Sequence, residues 1–303
     1  MNNLRVLITG ASGFIGAPLV TRLAEVGCEV LAISRSFPTY MFDGSVEWLV
    51  ADLSSSVTYK DKIELFSPEV VIHLAWEDIP DFSFEKSIRN LNQSLDLLSF
   101  VTRIESCKKI LLSGSCWEFD KIKGECLDTD VGAPKDHFTW AKHSIRSWLE
   151  MVSKQQGITF GWFRIFYVYG PKQREASLIP MILTHLKNGN LPQLKTPNNA
   201  NDFIYIDDVI RAFELATIGT MHSGLYNLGS GESTSVLEVC RLAEQVVRGS
   251  DKLSRQLGRA SKSKVAGIDF WAGISFTKER LGWKPETSLA HGIEQTWHYM
   301  STQ

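Results

Sequence analysis

A short apolar run, Leu4–Thr9, meets glycines at positions 10, 13 and 16, and the chain beyond them turns helical. This GxxGxxG spacing at a strand-to-helix turn constrains the fold more than any other feature, because each glycine has a mechanical task. Gly10 permits the tight turn, Gly13 lets the backbone approach a pyrophosphate, and Gly16 lets the helix pack close to the strand. The helix N-terminus then offers free N–H groups and a partial positive charge to phosphate. The turn Gly10-Ala11-Ser12-Gly13-Phe14-Ile15-Gly16 therefore reads as a dinucleotide cradle, with Gly10, Ser12, Gly13, Phe14, Ile15 and Gly16 as expected contacts.

The rest of the chain repeats the rhythm. Phe14 to Gly27 carries a helical stripe at Ile15, Leu19, Val20 and Leu23, and Cys28–Ser34 is a second strand. Apolar runs recur at Val46–Val50, Val70–Leu74, Lys109–Ser113 and Thr159–Ile165, with helical patterns at about Ser83–Glu105 and Thr139–Gln156. Strand and helix alternating at this spacing predict an α/β fold, a doubly wound parallel sheet with helices on both faces. After Tyr169-Gly170-Pro171 the rhythm changes. A helix (Leu178–Asn188), a Pro/Asn-rich loop (Leu191–Asn201), a strand (Asp202–Ile206), a helix (Asp207–Ile218), a strand (Leu225–Leu228) and a helix (Val236–Val247) follow. These predict two regions, residues 1–170 for the dinucleotide and a smaller α/β region, 171–303, for a substrate, with some segments returning to the first. The Ser-, Lys- and Arg-rich stretch Gly249–Lys264 reads as a mobile loop.

Composition narrows the partners. The 303 residues carry a formal net charge of −2, which gives no electrostatic reason to expect nucleic acid or an anionic membrane. Five cysteines (Cys28, Cys107, Cys116, Cys126, Cys240) are scattered without a CxxC pair, which argues for reduced thiols and against a zinc site. No basic leader precedes the first apolar run, and no stretch approaches the roughly 18 apolar residues of a membrane span. A cytoplasmic protein is the expectation.

The end of the second strand bears on the choice between NAD and NADP. An acidic residue there would accept from the adenosine ribose and repel a 2′-phosphate. Here the sequence is Ser34-Arg35-Ser36. A guanidinium flanked by hydroxyls suits a phosphate, so NADP(H) is favoured over NAD(H).

The chain resembles, over essentially its whole length, the extended short-chain dehydrogenase/reductase family (the NAD-dependent epimerase/dehydratase-like proteins) in its nucleotide-sugar branch. The motifs are Thr9–Gly16 (TGASGFIG), Asp52-Leu53, His73-Leu74-Ala75, Lys142, Arg164–Pro171 (RIFYVYGP), Asp202–Asp208 (DFIYIDD), Tyr226–Gly231 (YNLGSG) and Leu281–Pro285 (LGWKP). The resemblance implies a Rossmann-type fold in which Asp52 and Leu53 flank the adenine, and Leu74, Ala75, Trp76, Asn90 and Tyr167 join the cofactor contacts. His73, in an apolar strand, reads as a hydrogen-bonded core residue.

Such enzymes use a hydroxyl residue, a tyrosine and a lysine, the last two spaced YxxxK. The tyrosine moves the proton, and the lysine holds the nicotinamide ribose and lowers the phenol pKa. The hydroxyl residue holds the substrate oxygen. By resemblance Ser115 is the hydroxyl residue and Lys142 the lysine, but the tyrosine position is Phe138. Phenylalanine cannot transfer a proton. Three accounts stay open: a tyrosine-to-phenylalanine variant, an enzyme with another donor (His137, Tyr167 or water), or a binding protein that keeps the fold.

Dehydratases of this branch carry an Asp-Glu pair after the hydroxyl residue, where this chain has Cys116-Trp117. The resemblance therefore implies hydride chemistry at C4 of a nucleotide-diphosphate sugar. A 4-keto-6-deoxyhexose reductase is favoured, with a C4 epimerase or dehydrogenase as the alternative. Trp76, Ser115, Cys116 and Trp117 are the expected substrate contacts, with Arg174 and Lys195 for the diphosphate. Relatives often pair through the two long helices, which implies a homodimer.

Overall fold

Side chains of a strand alternate between faces, and in the first strand Val6 and Ile8 enter one core while Leu7 enters another. Both faces are dry, which is why these strands read as unbroken apolar runs. The computed structural model describes residues 3–37, 44–121, 123–260 and 267–303. The first part runs β1 (Arg5–Thr9), α1 (Gly16–Glu25), β2 (Glu29–Ser34), β3 (Val46–Val50), α2 (Lys60–Phe66), β4 (Val70–His73), α3 (Phe84–Val101), β5 (Lys109–Ser115), β6 (Lys123–Cys126), α4 (His137–Gln156), β7 (Thr159–Ile165) and β8 (Tyr167–Tyr169). It continues α5 (Leu178–Lys187), β9 (Ala200–Asn201), β10 (Phe203–Tyr205), α6 (Ile206–Ile218), β11 (Gly224–Leu228), β12 (Thr234–Ser235), α7 (Val236–Arg248), α8 (Lys252–Ala260), β13 (Asp269–Ala272), α9 (Ser275–Leu281) and α10 (Leu289–Ser301).

Seven of these strands form one parallel sheet in the order β11-β7-β5-β4-β1-β2-β3. Helices α1 and α6 cover one face through Leu19, Leu23, Val209 and Phe213. Helices α3 and α4 cover the other through Leu97, Leu98, Ile145 and Leu149. This is the doubly wound, Rossmann-type α/β arrangement. The chain moves outward from β1 to β2 and β3, then returns to β4 on the opposite side of β1. That reversal opens a crevice at the carboxyl ends of the strands, where such sheets bind ligands. A small sheet, β12-β9-β13-β6, and the pair β10-β8 assemble beside it.

The β1–α1 corner is as tight as the glycine spacing implies. Gly10 has φ +69, and a Cβ there would lie 2.7 Å from the backbone nitrogen of Ala75. A Cβ on Gly16 would collide with the carbonyl oxygen of Gly10.

Helix α4 begins at His137, two residues before the pattern suggested. The Asp136 carboxylate accepts from the Thr139 N–H at 2.7 Å, while the Thr139 hydroxyl accepts from the Asp136 N–H. This reciprocal cap brings Phe138 into the first turn. The strand expected at Asp202–Ile206 is confined to Phe203–Tyr205. The Asp202 carboxylate is instead buried, accepting from the backbone of Ser230, Gly231 and Ala272.

One expectation is corrected. The polar stretch Gly249–Lys264 reads as a mobile loop, but it contains α8. The buried Glu244 carboxylate on α7 accepts from the N–H groups of Leu253 and Ser254 and from the Ser254 hydroxyl. These bonds satisfy donors that a helix start leaves open, while Leu253 and Leu257 pack on the core. Residues 261–264 lie outside the described residues.

Alanine exceeds glycine by up to about 1 kcal/mol in helix propensity, but at Gly16 the collision outweighs that gain. Gly16→Ala is expected to lower stability by about 2–3 kcal/mol in urea unfolding.

Candidate active site

The crevice is a cleft of about 250 Å³ bounded by Thr9, Gly10, Ser12 and Gly13 from the turn, Ile33–Ser36 from β2, Ala51 and Leu53 after β3, and Leu74–Glu77 after β4; Asn90 and Gln93 close it from α3. Of the expected cofactor contacts, Gly10, Ser12, Gly13, Ser34, Arg35, Ser36, Leu53, Leu74, Ala75, Trp76 and Asn90 meet here. Three features fit a dinucleotide. The glycines leave bare backbone at one end, and Ala51 and Leu53 give an apolar wall. The buried amide nitrogen of Gln93 has no hydrogen-bond partner among the described residues, as befits a group that meets a ligand.

Other expected contacts lie elsewhere. The exposed Asp52 carboxylate accepts from the Ser54 N–H at 2.8 Å, capping the turn after β3, and is not among the residues that bound the cleft. Phe14 faces a larger groove of about 810 Å³ between α1 and α6, which contains none of Ser115, Phe138 and Lys142. Ile15 is half-buried against the core and Gly16 is consumed by packing. Tyr167 stands on β8 with its ring against Phe203 and Phe270, outside the cleft walls. Burial, with Cys116 nearby, pushes its phenol well above the ordinary value.

Gln93 and Glu77 also line the cleft and belong to none of the motifs. A signal existed for Gln93. The buried face of α3 carries Ser87, Asn90, Gln93 and Ser94, a polar stripe at helical spacing where a packing face alone would be apolar. Glu77 sits where Arg35 reaches: an Arg35 nitrogen lies 3.2 Å from one carboxylate oxygen, and an Arg89 nitrogen 3.9 Å from the other. Two guanidiniums thus share one carboxylate at the end of β2.

The carboxyl ends of β4 and β5 meet α4 at the other end of the cleft. Phe138 and Lys142 are one helical turn apart and so share a face. The Phe138 ring is buried against Phe82 (centroids 4.6 Å apart) and Trp76 (5.2 Å). The Lys142 ammonium lies 4.0 Å from the Trp76 ring centroid and donates to the Ser113 carbonyl at 2.8 Å. Burial lowers its pKa to about 8, partly opposed by the negative charge of Glu118. Ser115 ends β5, its hydroxyl accepting from the Trp117 N–H at 3.2 Å. Its own N–H donates to the Glu118 carboxylate at 2.7 Å.

Around this centre Cys116 is buried and Trp117 half-exposed beneath the Lys135 ammonium. Arg174 donates to the Ile79 carbonyl in the loop after Trp76, whereas Lys195 is exposed between α5 and β9. His137 is exposed, its ring edge-on to Phe84. His73 is a core residue as read: its ring nitrogens bond Thr9 at 2.6 Å and Ser94 at 2.9 Å. Burial, reinforced by the Lys142 charge, lowers its pKa to about 3, so it stays neutral.

A doubly wound sheet with bare glycine backbone at its switch point is the arrangement of the short-chain dehydrogenase/reductase kind. The chain belongs to the NAD dependent epimerase/dehydratase family, whose model matches residues 6–229. It is 23% identical to the CDP-abequose synthase of Salmonella muenchen over 298 residues, 97% of either chain. It is 25% identical to the dTDP-4-dehydro-6-deoxyglucose reductase of Escherichia coli, covering 96% of this chain and 95% of that one. Its fold superposes with a TM-score of 0.84 on the UDP-glucose 4-epimerase of Thermotoga maritima solved with UDP-glucose (24% identity, 99% of both chains). Among the described residues no helix is long and apolar enough to cross a membrane.

A buried ammonium costs stability while it is charged. The native pKa of Lys142, about 8, lies below the ordinary lysine value of 10.5. The unfolded chain therefore binds the proton more tightly, and the cost is full below pH 8 and fades toward pH 10.5. Lys142→Met is expected to raise unfolding free energy by about 1–3 kcal/mol at pH 7 and by clearly less at pH 10; denaturant titrations at both pH values check this.

Proposed function

We propose that this protein uses NADPH to reduce the 4-keto group of a nucleotide-diphosphate 4-keto-6-deoxy sugar. The reading is carried by the Ser115–Lys142 pair beside the cleft, with Cys116 and Trp117 where a dehydratase would carry its acidic pair. NADPH, when bound, supplies the hydride. Lys142 exchanges the Ser113 carbonyl for the nicotinamide ribose, and its charge favours the oxyanion forming nearby. The Ser115 hydroxyl holds the sugar oxygen. Trp76 and Trp117 flank the ring, and Arg174 with Lys195 face the diphosphate from the 171–303 region. With Phe138 in the tyrosine place, the proton comes from water, and turnover is slow.

Arg35 supports NADP(H): its guanidinium, 3.2 Å from Glu77 at the end of β2, would exchange that carboxylate for a 2′-phosphate. Arg35→Ala is expected to raise the KM for NADPH about tenfold and leave that for NADH nearly unchanged. Equal effects on both cofactors would remove the preference from Arg35.

Phe138 also favours a second reading, a protein that binds NADP(H) and a nucleotide sugar without turning it over. Phe138→Tyr separates the two. NADPH consumption with a panel of nucleotide-diphosphate 4-keto sugars is expected to rise about a hundredfold, the ordinary worth of a positioned proton donor. Silence in both proteins, with cofactor still bound, selects the binding protein.

The outer faces of α3 and α4 suit a homodimer. Phe84, Trp140 and Met151 are exposed there, with Trp140 and Met151 three turns apart on one stripe. Met151→Glu is expected to convert a dimer into a monomer in sedimentation experiments, since a carboxylate in an apolar interface has no partner.

A further inference from the structure

We propose that Glu118 is a positioning residue for this site: its carboxylate, folded back beneath the end of β5, fixes the backbone of Ser115 and supplies the negative field that faces Lys142. The proposal rests on the reading of Ser115 and Lys142 as the working pair.

The geometry shows where this carboxylate is committed. Glu118 is 1% exposed. One oxygen accepts from the Ser115 N–H at 2.7 Å, and both accept from the Trp162 indole N–H at 3.0 Å. Gly114 is required for this: a Cβ there would lie 2.6 Å from the Glu118 oxygen and closer still to the Trp162 nitrogen. The neighbouring guanidiniums stand farther off, Arg146 at 3.6 Å and Arg164 at 4.0 Å. Two side-chain nitrogens of each have no hydrogen-bond partner among the described residues. Optimised ion pairs would satisfy those donors first. Here the close hydrogen bonds go to the Ser115 backbone and the indole, and the arginines balance the charge from outside. An apolar side chain of similar volume could fill the space, but it could not hold the Ser115 N–H.

The same charge bears on Lys142. The groups around the ammonium are the Trp76 and Phe138 rings, neutral His73 on β4, and Glu118. Glu118 itself is faced by Lys142, His143 and Arg146 on α4 and by Arg164 on β7, with Asp128 and Asp130 coupled to Arg164. Glu118 raises the lysine pKa against burial. Neutralising Glu118 therefore makes Lys142 lose its proton at lower pH.

The test follows the Lys142 side chain by NMR of the full chain labelled with 13Cε-lysine, Lys142→Met identifying its resonance. In Glu118→Gln the titration midpoint is expected to fall by roughly half a pH unit or more. With a 4-keto nucleotide sugar and NADPH, kcat is expected to fall about tenfold or more while the KM for NADPH stays within about twofold. The basic limb of the pH–rate profile moves acidward in step. Glu118→Asp keeps the charge but shortens the reach to Ser115, so kcat falls while the lysine midpoint holds. It also serves if the glutamine variant does not fold. An unmoved lysine midpoint in Glu118→Gln, or wild-type kcat in Glu118→Asp, overturns the proposal. If the wild type and Phe138→Tyr turn over no sugar, the reductase reading fails, and the midpoint shift still decides whether Glu118 acts on Lys142.

Discussion

The close approach of two stretches of bare backbone at the β1–α1 corner governs the rest of this molecule. A side chain on Gly16 would strike the Gly10 carbonyl, and one on Gly10 would strike the backbone after β4. Because neither exists, α1 seats directly against the sheet. Its N-terminus then points into the crevice that the strand order opens between β1 and β4. The Gly10–Gly13 turn, the end of β2 and the loop after β4 all converge there.

A second constraint organises the chemistry. The sheet brings β4, β5 and β7 side by side, and α4 crosses their far face. Buried charge therefore accumulates behind Ser115: Lys142, Arg146, Arg164 and one carboxylate, Glu118. Burying so many ions costs stability, yet they lie immediately behind the residues proposed to work. The arrangement is one that function, rather than stability, accounts for. Phe138 belongs to the same centre but differs in kind. Packed between Phe82 and Trp76, it completes an apolar wall and carries no proton.

Much of this was legible along the chain. The glycine turn, strands β1 to β5 and β7, and the α3 and α4 helices follow from apolar runs and helical stripes, each a local signal. So does the Phe138–Lys142 pair, since a four-residue step puts two side chains on one helix face. Helix α8 was not legible, because its stretch is polar and the carboxylate that anchors it belongs to α7. Nor is it legible in the Asp52-Leu53 motif that the neighbours differ in their packing: Leu53 lines the cleft and Asp52 caps a turn.

The sequence by itself determined that the chain alternates strand and helix, that a glycine-rich turn joins its first strand to its first helix, and that a phenylalanine stands four residues before Lys142. Periodicity and glycine spacing act over a few residues, so they survive in one dimension. Only the tertiary structure decided that Arg35 meets Glu77, that Gln93 closes the cleft, and that Glu118 lies among Ser115, Trp162, Arg146 and Arg164. Apart from Ser115, those partners come from other strands and helices, tens of residues away. Each owes its role to a distance and a loss of solvent that exist only once the sheet has assembled.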